Sequence, residues 1–136
     1  MALTHLLDTS VYSQPLRKVW LTSAIRRWRE TGDDAVCISA ICEAELLQGL
    51  EFRQSRPLWD FYEQHLKGRL AVLPVDQRVA EVYARLHAIH RRSGKTRPPL
   101  DLLIASTARA HNLVLATLDI HHFQGIEGLA VEDWSK

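Results

Sequence analysis

The stretch PPLDLLIASTARAHNLVLATLD (98–119) frames the reading of the whole chain. Two prolines suit a helix start, where φ is already set and the missing N–H is not needed. The helix then carries LDLLIASTARAH, and the short apolar run LVLAT (113–117) reads as a strand. The same alternation extends outward. Residues 2–7 read as a strand, and Leu16 to Glu30 as a helix with Leu21, Ala24, Ile25 and Trp28 at helical spacing and Gly32 as its stop. Ala35 to Ile38 is a second strand, and Ser39 is placed to cap a helix through Leu50. Pro57 opens a further helix to about Lys67. LAVLPV (70–75) is strand-like, and Asp76 caps a long helix with Val79, Val82, Tyr83, Leu86 and Ile89 as its apolar stripe. Residues 91–99 form a loop, and a last strand covers Leu129 to Glu132. Strands alternating with helices predict an α/β fold with a mostly parallel sheet, whose sites form at the carboxyl ends of the strands.

The totals are those of one soluble domain spanning residues 1–136, with 46% apolar and 24% charged residues. Seventeen Lys and Arg against sixteen Asp and Glu exclude a uniformly basic nucleic-acid binder, so any such surface must be local. Cys37 and Cys42 have no CxxC or zinc-finger spacing and read as buried thiols of a reducing compartment. With no signal-like start and no apolar run of membrane length, the expected location is the cytoplasm, away from membranes.

The carboxylates are what the pattern singles out. Asp8 ends the first strand, Asp119 lies two residues beyond Thr117, Glu43 and Glu45 stand early on the helix after the second strand, and Asp101 is in the first turn after the two prolines. Any one of them could be a simple helix cap or dipole partner. Together at one edge they would repel unless a cation sat among them, and hard oxygen donors favour Mg²⁺ or Mn²⁺. The chemistry that suits such a site is phosphodiester hydrolysis. Glu43 and Glu45 point about 200° apart on a helix, so only one of them can easily face the site, and periodicity does not choose between them.

Three motifs carry a resemblance. LLDTSVY (6–12), SAICEAELLQGL (39–50) and PLDLLIASTARAHNLVLATLDIHHF (99–123) together resemble the PIN-domain nucleases, and among them the VapC-type toxins of toxin–antitoxin pairs. The resemblance implies a compact three-layer α/β/α fold around a central, mostly parallel sheet, and a metal-dependent endoribonuclease leaving 5′-phosphate and 3′-hydroxyl ends. It places the family's acids on Asp8, Glu45, Asp101 and Asp119, and its supporting hydroxyl on Thr117. Glu43 is then a surface charge. An RNA substrate, a cognate antitoxin and a homodimer are implied as partners. One departure is His122, where relatives often carry Asp directly before the Phe. His121 and His122 can be read as metal ligands or as an exposed loop pair.

Two further stretches have double readings. RRSGKTR (91–97) carries Arg91, Arg92, Lys95 and Arg97, either holding an RNA backbone beside the acids or complementing a helix end. Its SGKT is not the end of a phosphate-binding loop, since a helix rather than a strand precedes it. LWDFY (58–62) supplies Trp59, Phe61 and Tyr62, as core or as a partner surface. Two other functions compete with the nuclease. A silent PIN-like module binding RNA or protein would lack an acid, and all four are present. An aspartyl-phosphate acceptor would need a second acid close behind Asp8 and a lysine at a later strand end, and neither is evident.

Overall fold

A computed structural model describes residues 2–136. Five strands form one sheet: β1 (His5–Leu7), β2 (Val36–Ser39), β3 (Ala71–Leu73), β4 (Val114–Thr117) and β5 (Val131–Asp133), in the order β3-β2-β1-β4-β5. All four ladders are parallel, with Leu6 opposite both Cys37 and Leu115, and Thr117 opposite Asp133. Parallel neighbours need long crossovers. These are α1 (Thr9–Tyr12), α2 (Thr22–Thr31), α3 (Ala40–Arg53), α4 (Arg56–His65), α5 (Gln77–Arg92) and α6 (Pro99–Ala110), and helices lie on both sides of the sheet. The expected α/β/α arrangement is therefore present.

Both faces of the three inner strands are covered, and most of their residues are accordingly apolar. Leu6, Leu7, Val36, Cys37, Ile38, Leu115 and Ala116 are wholly buried. Each buried leucine contributes about 1.5–3 kcal/mol of transfer free energy, and these seven residues form a firm base for the loops at the strand ends. Both cysteines are free and buried, their thiols donating to the carbonyls of His5 and Leu7. Burial pushes the Cys37 thiol up to about 12 and that of Cys42 higher still.

The caps are where side-chain chemistry placed them. The Ser39 hydroxyl accepts from Ile41 N, and the Asp76 carboxylate from Val79 N. Pro57 lies in the first turn of α4, and Gly32 closes α2 at φ 92°, where a side chain would be strained. The differences are at element ends. The first helix does not run from Leu16: a 3-10 turn covers Gln14–Leu16, and α2 starts only at Thr22. Buried Gln14 explains the break, because its amide donates to Ser10 O and accepts from Leu21 N, replacing helical bonds across 17–21. That segment leaves Val19 84% exposed and Trp20 49% exposed. α3 continues to Arg53 and α5 to Arg92, so the basic loop is shorter than expected. The edge strand β3 stops at Leu73, where Pro74 has no N–H to donate. Among the described residues, no helix is long and apolar enough to cross a membrane.

Glu43 is not a free surface charge. Its carboxylate accepts from the Tyr62 hydroxyl at 2.9 Å and more weakly from Tyr12 at 3.4 Å. Tyr62 is thereby buried, with Trp59 edge-on to it at 6.0 Å, so two of the three aromatics in LWDFY pack inward. Burial and the adjacent Glu43 push the Tyr62 phenol up from 10.0 to about 12. A raised pKa gives stability that is complete below pH 10 and lost as pH rises through about 12. Tyr62→Phe should therefore lower the unfolding free energy by about 1 kcal/mol at pH 7. It should also flatten the alkaline limb of a melting-temperature profile between pH 10 and 12.

Candidate metal centre

The strand order reverses at β1: the chain steps outward to β2 and β3, then returns to β4 on the other side. The crevice at such a reversal lies between the ends of β1 and β4, and it is where parallel sheets place their sites. Asp8 stands at that point. It follows Leu7 directly, its N–H donates to Ala116 O at 3.0 Å, and it caps α1.

Asp8 is only 5% exposed. One carboxylate oxygen accepts from Ser10 Oγ at 2.6 Å and Val11 N at 3.2 Å, and the other from Thr117 Oγ1 at 2.6 Å. Burial pushes its carboxyl above the usual range, and these hydrogen bonds pull it part of the way back. Among the described residues, none of its hydrogen-bond or ion-pair partners is a cation. A buried carboxylate whose only partners are neutral is short of a counter-charge, and that is the condition a metal ion relieves.

Two hydroxyl residues and one imidazole hold the other acids around this edge. Thr9, next in sequence, donates to the Glu45 carboxylate on α3. Thr117 accepts from Asp119 N at 2.9 Å while donating to Asp8. Asp119 and Asp101 are linked by one imidazole: His122 Nε2 lies 3.1 Å from Asp119 Oδ2, and Nδ1 lies 3.5 Å from Asp101 Oδ2. Burial pushes the Asp101 carboxyl up, and Asp119 adds to this while His122 opposes it. Glu45 and Glu43 face different partners, as the helical arithmetic requires. Among the described residues, no three Asp, Glu, His or Cys side chains converge on a common ion position as they stand. The donor set nonetheless fits a hard divalent cation, because it is rich in carboxylate oxygen and lacks a positive partner at its buried member.

Sequence reasoning did not anticipate Ser10, Thr9 or the bridging of His122. Ser10 is doubly used, donating to Asp8 and accepting from Leu118 N at 3.1 Å, which ties α1 to the loop after β4. The DTS string held that signal in its two hydroxyls. Arg97 is not free for a ligand: it donates to the carbonyl oxygens of His122 at 2.9 Å and Gln124 at 2.6 Å, anchoring the loop that carries Asp119. Arg91, Arg92 and Lys95 remain exposed.

Thr117→Val keeps shape but removes both of its hydroxyl bonds. It should reduce any activity of this centre by about 10- to 100-fold, the usual effect of losing a group that orients a ligand, while Thr117→Ser restores most of it. Steady-state rates beside a thermal melt check this, since misfolding would lower both.

The fold and this edge define a PIN-type domain, and the PIN domain family profile matches residues 5–128. The chain belongs to the PIN domain family. It is 33% identical to a protein named toxin FitB of Neisseria gonorrhoeae, over 95% of this chain and 97% of that one. It is 27% identical to the tRNA(fMet)-specific endonuclease VapC of Shigella flexneri, over 98% and 99% respectively. The crystal structure of FitAcB from Neisseria gonorrhoeae superposes with a TM-score of 0.88 at 30% identity, covering 96% of this chain and 98% of that chain.

Proposed function

We propose that this protein is a metal-dependent endoribonuclease, the toxin of a toxin–antitoxin pair. The observation that carries the reading is Asp8: a buried carboxylate at the strand reversal, held by three neutral donors and short of positive charge. Asp8, Glu45, Asp101 and Asp119 would hold Mg²⁺ or Mn²⁺. When bound, the ion supplies Lewis acidity toward a phosphate oxygen and lowers the pKa of water. The chain's own residues do the rest. Ser10 and Thr117 fix the orientation of Asp8, and Thr9 does so for Glu45. Arg91 and Arg92 in the last turn of α5, with Lys95 just beyond it, form an exposed basic rim that suits an RNA backbone, a contact that positions rather than reads sequence.

The relatives' names, a toxin and an RNA endonuclease, support the same reading, as does a groove beside the site. About 880 Å³ in volume, it runs from Thr9 and Glu45 past Leu46 and Leu50 to Leu58, with Arg17, Lys18 and Arg53 on its margin. An apolar floor with basic margins suits an antitoxin segment that is part hydrophobic and part acidic. Exposed Trp20 and the partly exposed Trp59 and Phe61, together with half-exposed β3, suit a second copy of the chain as partner.

The test is cleavage of end-labelled total RNA by antitoxin-free protein with Mg²⁺, with Mn²⁺ and with EDTA. Discrete fragments that vanish with EDTA support the reading. Intact RNA in the presence of bound Mn²⁺ would overturn it in favour of a module that binds without cutting.

A further inference from the structure

Resting on that reading, we propose that His122 is itself a ligand to the ion. It would give the site one imidazole nitrogen and a preference for Mn²⁺ over Mg²⁺ that an all-oxygen site would not have.

The argument begins with how firmly the ring is presented. His122 ends a 3-10 turn, Ile120–His122, in which its N–H donates to Asp119 O at 3.1 Å. Its carbonyl accepts from Arg97, and the next side chain, Phe123, is buried at 2% exposure. The backbone is thus fixed on both sides of a side chain that is itself 57% exposed. Its neighbour His121 has no side-chain partner among the described residues, so the two histidines are not equivalent.

The second part is the placement of the two nitrogens. Each faces a different carboxylate, at 3.1 Å and 3.5 Å. Two donors that share one ion at roughly 2.1 Å each lie about 3.0–3.5 Å apart, the spacing found here. Metal-binding imidazoles bind through one nitrogen and donate the other N–H to a carboxylate, which sets tautomer and ring direction. Asp101 is the more enclosed carboxylate, its side chain 20% exposed against 48% for Asp119. Nδ1 would therefore join Asp101 in holding the ion, with one Asp119 oxygen accepting Nε2–H and the other left as a donor. Arg97 is the positioning residue that keeps this turn in place.

The consequence is one of selectivity. Carboxylate and water suit Mg²⁺ and Mn²⁺ alike, whereas an imidazole nitrogen shifts affinity toward transition ions. Mn²⁺ is the informative probe because it is paramagnetic. Wild type, His121→Ala, His122→Asp and Asp8→Asn would be titrated with Mn²⁺ and Mg²⁺ by calorimetry. The Mn²⁺-loaded forms would then be examined by electron spin echo for coupling to ¹⁴N. The expected result is ¹⁴N coupling in wild type and His121→Ala, and none in His122→Asp, which still binds Mn²⁺. The ratio of Mn²⁺ to Mg²⁺ affinity should fall about 10-fold in His122→Asp. Bound Mn²⁺ without ¹⁴N coupling, or an unchanged ratio, would overturn the role of His122 and leave the metal-nuclease reading standing. Mn²⁺ binding that is absent, or indifferent to Asp8→Asn, would overturn both. Position 122 is exposed, and cooperative melting of the metal-free forms at or above the wild-type temperature would show that all variants fold.

Discussion

Asp8→Asn should abolish RNA cleavage, by more than about 100-fold, and at the same time make the metal-free protein harder to unfold. The two effects have one cause. Asn keeps the size of the side chain and one acceptor oxygen for Thr117 or Ser10, but it carries no charge to be short of a partner. In the wild type, burial raises the Asp8 carboxyl above its unfolded value. A carboxyl raised in this way favours the folded state in acid, and that contribution is lost as pH rises through the folded pKa. At pH 7 the ionised group therefore opposes folding, and removing its charge should raise stability by about 1 kcal/mol or more, roughly 2–4 °C for a chain of this size. Added Mn²⁺ should reverse the order, stabilising the wild type and leaving Asp8→Asn where it was. Thermal melts of both proteins with and without Mn²⁺ make the check. A variant that melts lower than wild type in EDTA would show that Asp8 serves chiefly as a structural cap for α1.

The second large effect lies at the other end of the chain. Trp134 is 1% exposed, and its indole donates to Glu132 Oε1 at 3.0 Å. Its backbone N–H donates to Thr117 O at 2.8 Å, and its carbonyl accepts from Ser23 Oγ at 3.0 Å. It is thus a clamp on the end of the strand that carries the Asp8 partner. Trp134→Ala should cost about 3–5 kcal/mol, a large share of the 5–15 kcal/mol that typically holds a domain together. That corresponds to roughly 10 °C or more in melting temperature. Trp134→Phe should recover more than half of the loss by refilling the space. The indole also holds the Glu132 carboxyl below its usual range, a contribution present above about pH 4.5 and lost as pH falls. Urea midpoints at pH 7 and pH 4 should therefore show a smaller gap between wild type and Trp134→Phe in acid.

How much of this could be read without coordinates depended on the range of the interaction. Local chemistry was legible: Ser39 and Asp76 as caps, Pro57 in its first turn, Gly32 as a stop, and the alternation that makes the sheet parallel. The four acids were expected at one edge because each follows a strand or starts a helix, and the motif match chose Glu45 over Glu43. What escaped was non-local. Gln14 interrupts a helical pattern through two side-chain bonds that no periodicity encodes. Glu43 looked like a surface charge because its partners, Tyr12 and Tyr62, are 31 and 19 residues away. Arg97 sat in a run of cations that reads as one basic loop, yet its guanidinium is spent on two carbonyl groups. His122 was noted as a departure, but only the fold brings Asp101, 21 positions upstream, to the far side of its ring.

The two buried thiols give the molecule a practical property. With Cys37 and Cys42 protonated well beyond neutral pH and out of contact with solvent, maleimides and similar reagents should leave the folded chain unmarked. A cysteine introduced in place of Phe52, which is 90% exposed on the same helix as Glu45, would be the sole target for a dye. Such a fluorophore would sit one residue from Arg53 on the groove margin and would report an arriving peptide without touching an acid.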